Sequence, residues 1–485
     1  MRVSTRDVAR RSARVAFGAA LVPAVLAAQA VDRSKPPTLP PAPPLRVPAV
    51  ASTTLPNGLE LAVVEMHKVP VVDVSLVIGA GSVRDPVDLP GLATFTATML
   101  QQGAGRRGAI DIADEAAFLG ASLNTGASYD AAVASIHVPK RQLGPALDLL
   151  ADVVLRPTFS DSEVTRQREL RRTQILQQQD QPVVMANLAF SAIIFGAAHP
   201  YGRPLNGTEA AVAALTRDRV AQFYATYYHA NAARVLFVGD ITLDEARQLV
   251  TDRFSGWARS DLPQLPDVTA PAAAARTIYL VDKPGAAQSV FRIGAVGVSR
   301  STPDYFALQV LNTILGGSFT SRLNQNLRET HGYTYGANSQ FDMRRMPGPF
   351  LAASSVVTAK TDSALIEFMR ELRRIRDEAV PQVELDKAKA YISLGLPSDF
   401  ETTGRTAARI RELLLYDLPL DYYATFIPRI NAVTADDVRL VARQYLDPDH
   451  LAIVIVGDKS RIAAGLDALH EGPIVYRNLW GQAVP

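Results

Sequence analysis

Two hydrophobic periods alternate along this chain. Short β-branched runs such as "LELAVVE" (59–65) and "VVDVSLVIG" (71–79) read as strands. Longer segments such as "TRQRELRRTQILQQQ" (165–179) and "TDSALIEFMRELRRIRDEA" (361–379) have helical spacing. Strands cluster first and helices follow, which predicts an α+β fold in which each domain is an antiparallel sheet with helices packed on one face. Within "GLATFTATML" (91–100), Leu92, Phe95, Met99 and Leu100 form the stripe of a core-facing helix. Thr94 and Thr98 lie one turn apart on that helix, with Ala97 on nearly the same face.

The pattern occurs twice. "FYATYYHANAARVLFVGDI" (223–241) is matched by "LVARQYLDPDHLAIVIVGDK" (440–459), with Tyr227 and Tyr445, and likewise Gly239 and Gly457, 218 residues apart. Ile78 and Ile293 each open an Ile-Gly-Ala triplet at a strand end, 215 residues apart. A repeated order of strand, helices and a late strand ending in Val-Gly-Asp argues for a duplicated domain. The expected division is 51–258 and 277–485, joined by the proline-bearing linker 259–276.

Composition changes the picture at the N-terminus. Arginines at 2, 6, 10, 11 and 14 precede an apolar run from Val15 to Ala27 that ends in Ala28-Gln29-Ala30. This is the layout of a secretory signal peptide over 1–30, and the run is short for a bilayer span. A retained membrane anchor is the alternative, and Arg10-Arg11 leaves the choice between the general and the twin-arginine export route open. Seven prolines in 36–48 make a polyproline-like spacer, assigned to 31–50. The first thirty residues carry +4, so a chain of net charge +2 becomes −2 once they are removed. No basic surface then argues for nucleic acid. With no cysteine, an exported chain has neither disulfides nor a lipid-modified N-terminal Cys, so the fold rests on core burial. These features predict a periplasmic protein with no membrane anchor after cleavage.

Five separated stretches carry a family resemblance: "LPNGLEL" (55–61), "GAGSVRDP" (79–86), "GLATFTATML" (91–100), "AHPYGRPLNGT" (198–208) and "LGGSFTSRLNQNLRETHGYTYGA" (315–337). In this order they resemble the pitrilysin, insulinase and mitochondrial processing peptidase family. The resemblance, which runs from about residue 52 to 462, implies two homologous α+β domains. Active members carry His-x-x-Glu-His, two zinc-binding histidines and a general base, on the first long helix. Here those positions fall on Thr94, Ala97 and Thr98, and the third ligand position falls at or near Gln174. Hydroxyls and a neutral amide are poor zinc ligands, and Ala97 offers no base. The expectation is therefore no zinc in this chain.

In the second half, the resemblance gives Arg328 and Tyr335 a positive role: an Arg and a Tyr that hold the substrate backbone and steady the oxyanion at a zinc site across a cavity. Taken without the family, Arg328 pairing Glu329 or Asp342 and Tyr335 in a core would serve as well. Arg328 is expected to end a helix running from about 306, with Gly332 as its stop and Tyr335 on the following strand. Gly316 and Gly317 are read either as a break that admits substrate or as a close helix contact. His331 is a candidate substrate contact, and the seven histidines show no pair at metal spacing. Arg166, Arg168, Arg171 and Arg172 are expected on a solvated helix face.

The combination predicts a non-catalytic subunit that pairs with a homologous chain carrying the zinc, the two enclosing unfolded peptides. The alternative is a peptide-binding or scaffold protein with no peptidase role.

Overall fold

The computed structural model describes residues 45, 47–265, 268–272 and 274–484. The signal sequence and most of the proline-rich spacer lie outside the described residues.

The first half contains β1 (Ala51–Thr54), β2 (Glu60–Glu65), β3 (Val71–Ile78), α1 (Leu92–Met99), β4 (Ser122–Ala127), β5 (Ala132–Pro139), α2 (Leu143–Leu155), α3 (Asp161–Gln178), α4 (Pro182–Phe195) and β6 (Ala233–Gly239). Its sheet has the order β1-β2-β6-β3-β5-β4. The second half contains β7 (Thr277–Asp282), β8 (Gln288–Val296), α5 (Tyr305–Asn312), β9 (Thr334–Phe341), β10 (Pro349–Val357), α6 (Thr361–Asp377), α7 (Thr403–Leu415), β11 (Ala452–Gly457) and β12 (Ile474–Arg477). Its sheet reads β9-β10-β8-β11-β7-β12. Five strands of one sheet thus correspond in order to five of the other, and the sixth, at one edge, comes from before the others in the first half (β1) and from after them in the second (β12). Tyr227 and Tyr445 close corresponding helices, and Gly239 and Gly457 end β6 and β11.

Pairing is mostly antiparallel. The exceptions are β2 with β6, and β7 with both β11 and β12, which run parallel. The central strands are apolar on both faces because both faces are covered. On the first sheet, α2 packs against β5, while the opposite face receives α7 from the second half against β3 and β6. Ala407, Ile410 and Leu413 of α7 share a core with Ala62, Val64, Leu236 and Val238. The second sheet receives α4 from the first half: Met185, Ala186 and Phe190 pack with Val290, Val454 and Val456. Each half therefore supplies a helix to the other half's sheet.

Two local features position the site. Helix α1 begins at Gly91, whose φ of 93° and close approach to Gly207 leave no room for a side chain. No side chain of its own turn caps it. Instead the buried Asp85 carboxylate accepts the Gly91 N–H at 2.9 Å and the Ala93 N–H at 2.7 Å. Helix α3 is capped by Ser160, which accepts the Glu163 N–H, with Asp161 and Glu163 placed favourably in its first turn.

The helix expected from 306 to 328 is interrupted. After α5, a π-helical turn (Thr313–Gly317) runs into extended backbone at Ser318, and a short helix resumes at Arg322 before a second π-helical turn (Gln325–Thr330). The cause is steric: Gly316 lies so close to β9 that a Cβ would sit 2.2 Å from the Ser339 nitrogen, and on Gly317 it would meet Asn312 at 2.7 Å. Gly332 ends the second turn with φ 63°, donating to the Arg328 carbonyl at 3.0 Å.

Candidate functional site

Helix α1 buries Leu92, Phe95, Met99 and Leu100, as its periodicity predicts. Thr94, 7 % exposed, and Ala97 are buried as well, while Thr98 is half-buried. Each threonine hydroxyl is committed. Thr94 donates to the Leu205 carbonyl at 2.7 Å, with the Gly91 carbonyl at 3.0 Å, and Thr98 donates to the Thr94 carbonyl at 2.9 Å.

The oxygen lone pairs face Arg171 from α3. Its Nη1 donates to Thr94 Oγ1 at 2.9 Å and to the Gly91 carbonyl at 3.3 Å, and its Nη2 donates to Thr98 Oγ1 at 3.1 Å. The Phe95 ring lies 5.1 Å from the guanidinium. Burial pulls the Arg171 pKa down to about 10, against an opposing pull from Asp85, so the side chain is a cation at neutral pH. Among the described residues no carboxylate lies within ion-pair distance of it.

The sequence placed Arg171 on a solvated face, and this is corrected. Arg166 and Arg172 do pair with the surface acids Glu163, Glu169 and Glu209, but Arg171 turns toward α1. Gln174, one turn further along α3, is exposed and takes no part in these bonds. The available signal was the threonine pair itself, which leaves two unclaimed acceptors opposite an arginine-rich helix.

This donor set does not fit a zinc ion. Hydroxyls are weak zinc ligands, their protons are spent on carbonyls, and a guanidinium already faces both oxygens. Like charges about 4 Å apart repel by about 4 kcal/mol per unit of charge at a near-surface dielectric, and a divalent ion doubles this. Among the described residues no group of three or more His, Cys, Asp or Glu side chains is placed to hold a metal.

The second group of residues lies at the other end of the chain. Arg328, in the second π-helical turn, stands over the exposed Phe319 ring at 4.5 Å and has Glu329 at 3.5 Å. Its side chain remains 35 % exposed. Tyr335 is 92 % exposed at the start of β9, the outermost strand of its sheet. It sits in a register shift between Thr334 and Ala337, a bulge of the kind that re-aims a side chain. Thr334 Oγ1 holds that bulge by donating to the Ser355 carbonyl at 2.7 Å. Asp342 pairs with Arg344 rather than Arg328.

His331 stacks on Tyr333 at 5.0 Å, and its Nδ1–H donates to Asn326, whose amide reaches the buried Glu367 and Glu371 at 2.9 and 2.8 Å. A cavity of about 480 Å³ opens behind His331, but its arginines are answered internally: Arg322 by Glu384, Arg370 by Glu367 and Arg374 by Glu371. His67, His137 and His450 each face an aspartate at the surface, and His199 is buried between Phe195 and Tyr201.

Two matching α+β halves, with an arginine-bridged threonine pair on the first helix and a half-buried Arg328 and an exposed Tyr335 in the second half, make up a peptidase-like fold. The chain belongs to peptidase family M16. The model described as insulinase (peptidase family M16) matches residues 61–209, and the one described as peptidase M16 inactive domain matches 214–392. An uncharacterized zinc protease of Mycobacterium leprae is 28 % identical over 412 residues, covering 84 % of this chain and 92 % of the relative. A probable mitochondrial-processing peptidase subunit beta of Arabidopsis thaliana is 25 % identical over 430 residues, covering 85 % of this chain and 79 % of the relative. The crystal structure of a peptidase M16 inactive domain from Pseudomonas fluorescens superposes with a TM-score of 0.78 at 27 % identity, covering 84 % of this chain and 98 % of that one.

Proposed function

We propose that this chain is a non-catalytic subunit of a periplasmic zinc metallopeptidase. Its first half (51–258) carries the closed metal position, and its second half (277–485) offers Arg328 and Tyr335 to a zinc site on a homologous partner. Gly316, Gly317 and His331 would border the bound peptide. The observation that carries the reading is an asymmetry: the threonine pair is held by an internal cation, whereas Tyr335 faces solvent and Arg328 is half-exposed with no buried acceptor among the described residues. Relatives named zinc proteases support the class of reaction.

The test is reconstitution with the His-x-x-Glu-His homologue encoded in the same genome, measuring cleavage of an unstructured peptide. A donor that stabilises a developing oxyanion contributes roughly 10²-fold to the rate, so Arg328→Ala and Tyr335→Phe should each reduce the mixed activity on that scale. Unchanged rates with both variants would favour a scaffold or peptide-binding role.

A further inference from the structure

We infer that the Arg171 guanidinium is a permanent, chain-borne occupant of the degenerate metal position, doing the mechanical work of an ion while excluding one. The inference concerns α1 and α3 alone and holds whether or not a partner subunit exists.

A zinc ion in such a site would join two helices through ligands on each. Here one guanidinium makes the same connection, because it leaves α3 and ends on two α1 hydroxyls one turn apart, at 2.9 and 3.1 Å. The match is geometric. A planar fork with donors on two separate nitrogens spans acceptors at i and i+4 in a fixed geometry, whereas an ammonium would have to reach both from a single nitrogen. A third bond, to the Gly91 carbonyl, ties the same group to the start of α1, where Asp85 caps the helix. Among the described residues no carboxylate forms an ion pair with this cation, and the buried Asp85 acts on it only at longer range, so a second cation would meet a largely unneutralised positive charge. The threonine pair and Arg171 thus act as one unit in physical terms. Restoring the ligands alone would present histidines to a site that already holds a positive charge.

Two full-length variants test this. The first restores the ligand set: Thr94→His, Ala97→Glu, Thr98→His and Gln174→Glu. The second adds Arg171→Ala. Both are dialysed against zinc chloride and then against metal-free buffer, and zinc per chain is counted by mass spectrometry, with circular dichroism confirming the fold. The second variant should retain about one zinc and the first less than a tenth as much. Equal retention by the two, or none by either, overturns the exclusion.

The mechanical half is read separately. Arg171→Met and Arg171→Lys should each lower Tm by several degrees, and zinc should raise Tm of the five-fold variant but not of wild type. An unchanged Tm in Arg171→Met overturns the tie.

Discussion

Tyr201 donates its phenolic proton to Asp130 at 2.7 Å, and together the two residues receive the second half of the chain. Tyr201 Oη accepts the Met346 N–H at 3.2 Å, and Asp130 accepts the Arg345 N–H at 3.1 Å. Burial and the neighbouring Asp130 push the Tyr201 phenol well above its ordinary pKa, which keeps it a donor. Tyr201→Phe strands a buried carboxylate oxygen and a backbone N–H, at a cost of about 1–3 kcal/mol. Asp130→Ala should cost more, because it leaves both Tyr201 and Arg345 without an acceptor. Urea unfolding of the two variants checks the order.

A second prediction concerns pH. Burial raises the Asp85 carboxyl to about 7, although the Ala93 and Gly91 N–H groups and Arg203 oppose the shift. Its folded pKa therefore lies above the unfolded value of about 3.9, so between these limits the folded state holds a proton that the unfolded state has released. The contribution of Asp85 is then largest at low pH and declines as pH rises toward 7. Asp85→Asn should flatten that part of the curve of urea midpoint against pH, relative to wild type.

The glycines near the candidate site should differ in their tolerance. Gly316→Ala places a Cβ 2.2 Å from a strand nitrogen and must displace β9, so a loss of several kcal/mol is expected. Gly332→Ala meets open space and only the strain of φ 63°, about 1 kcal/mol. Thermal unfolding of the two separates packing from backbone strain.

Phe319→Ala removes the ring beneath Arg328 but no core contact, since Phe319 is itself exposed. An exposed cation–π contact is worth about 0.5–1 kcal/mol. Tm should hold, while the activity of the reconstituted pair falls about 2–5-fold. A fall in Tm would show that Phe319 is structural.

The strands at 60–65 and 71–78 and the helix at 361–377 were legible because each is long enough for its period to show. Two of the residue pairs that suggested a duplication, Tyr227/Tyr445 and Gly239/Gly457, stand at corresponding ends of helices and strands, whereas Ile78 ends its strand and Ile293 lies three residues inside its own. What periodicity could not give is which sheet a helix covers: α4 is apolar on nearly every face, so no stripe points to its neighbour. Nor could it locate the break after Gly317, which is set by the approach of β9 more than twenty residues later. Arg171 was hidden for a similar reason. Four arginines in one helix look alike until the threonines across the contact, 77 and 73 residues earlier in the chain, draw one of them inward.

The exchange of α4 and α7 means that the duplicated unit is no longer a separable module. Expressed by itself, either half would expose one sheet face meant for a helix encoded on the far side of the linker, and would carry a helix with nothing to cover. The two halves are structurally interdependent: a single proteolytic cut between them need not release them, but independent synthesis should leave two sticky, aggregating fragments that become soluble only when made together.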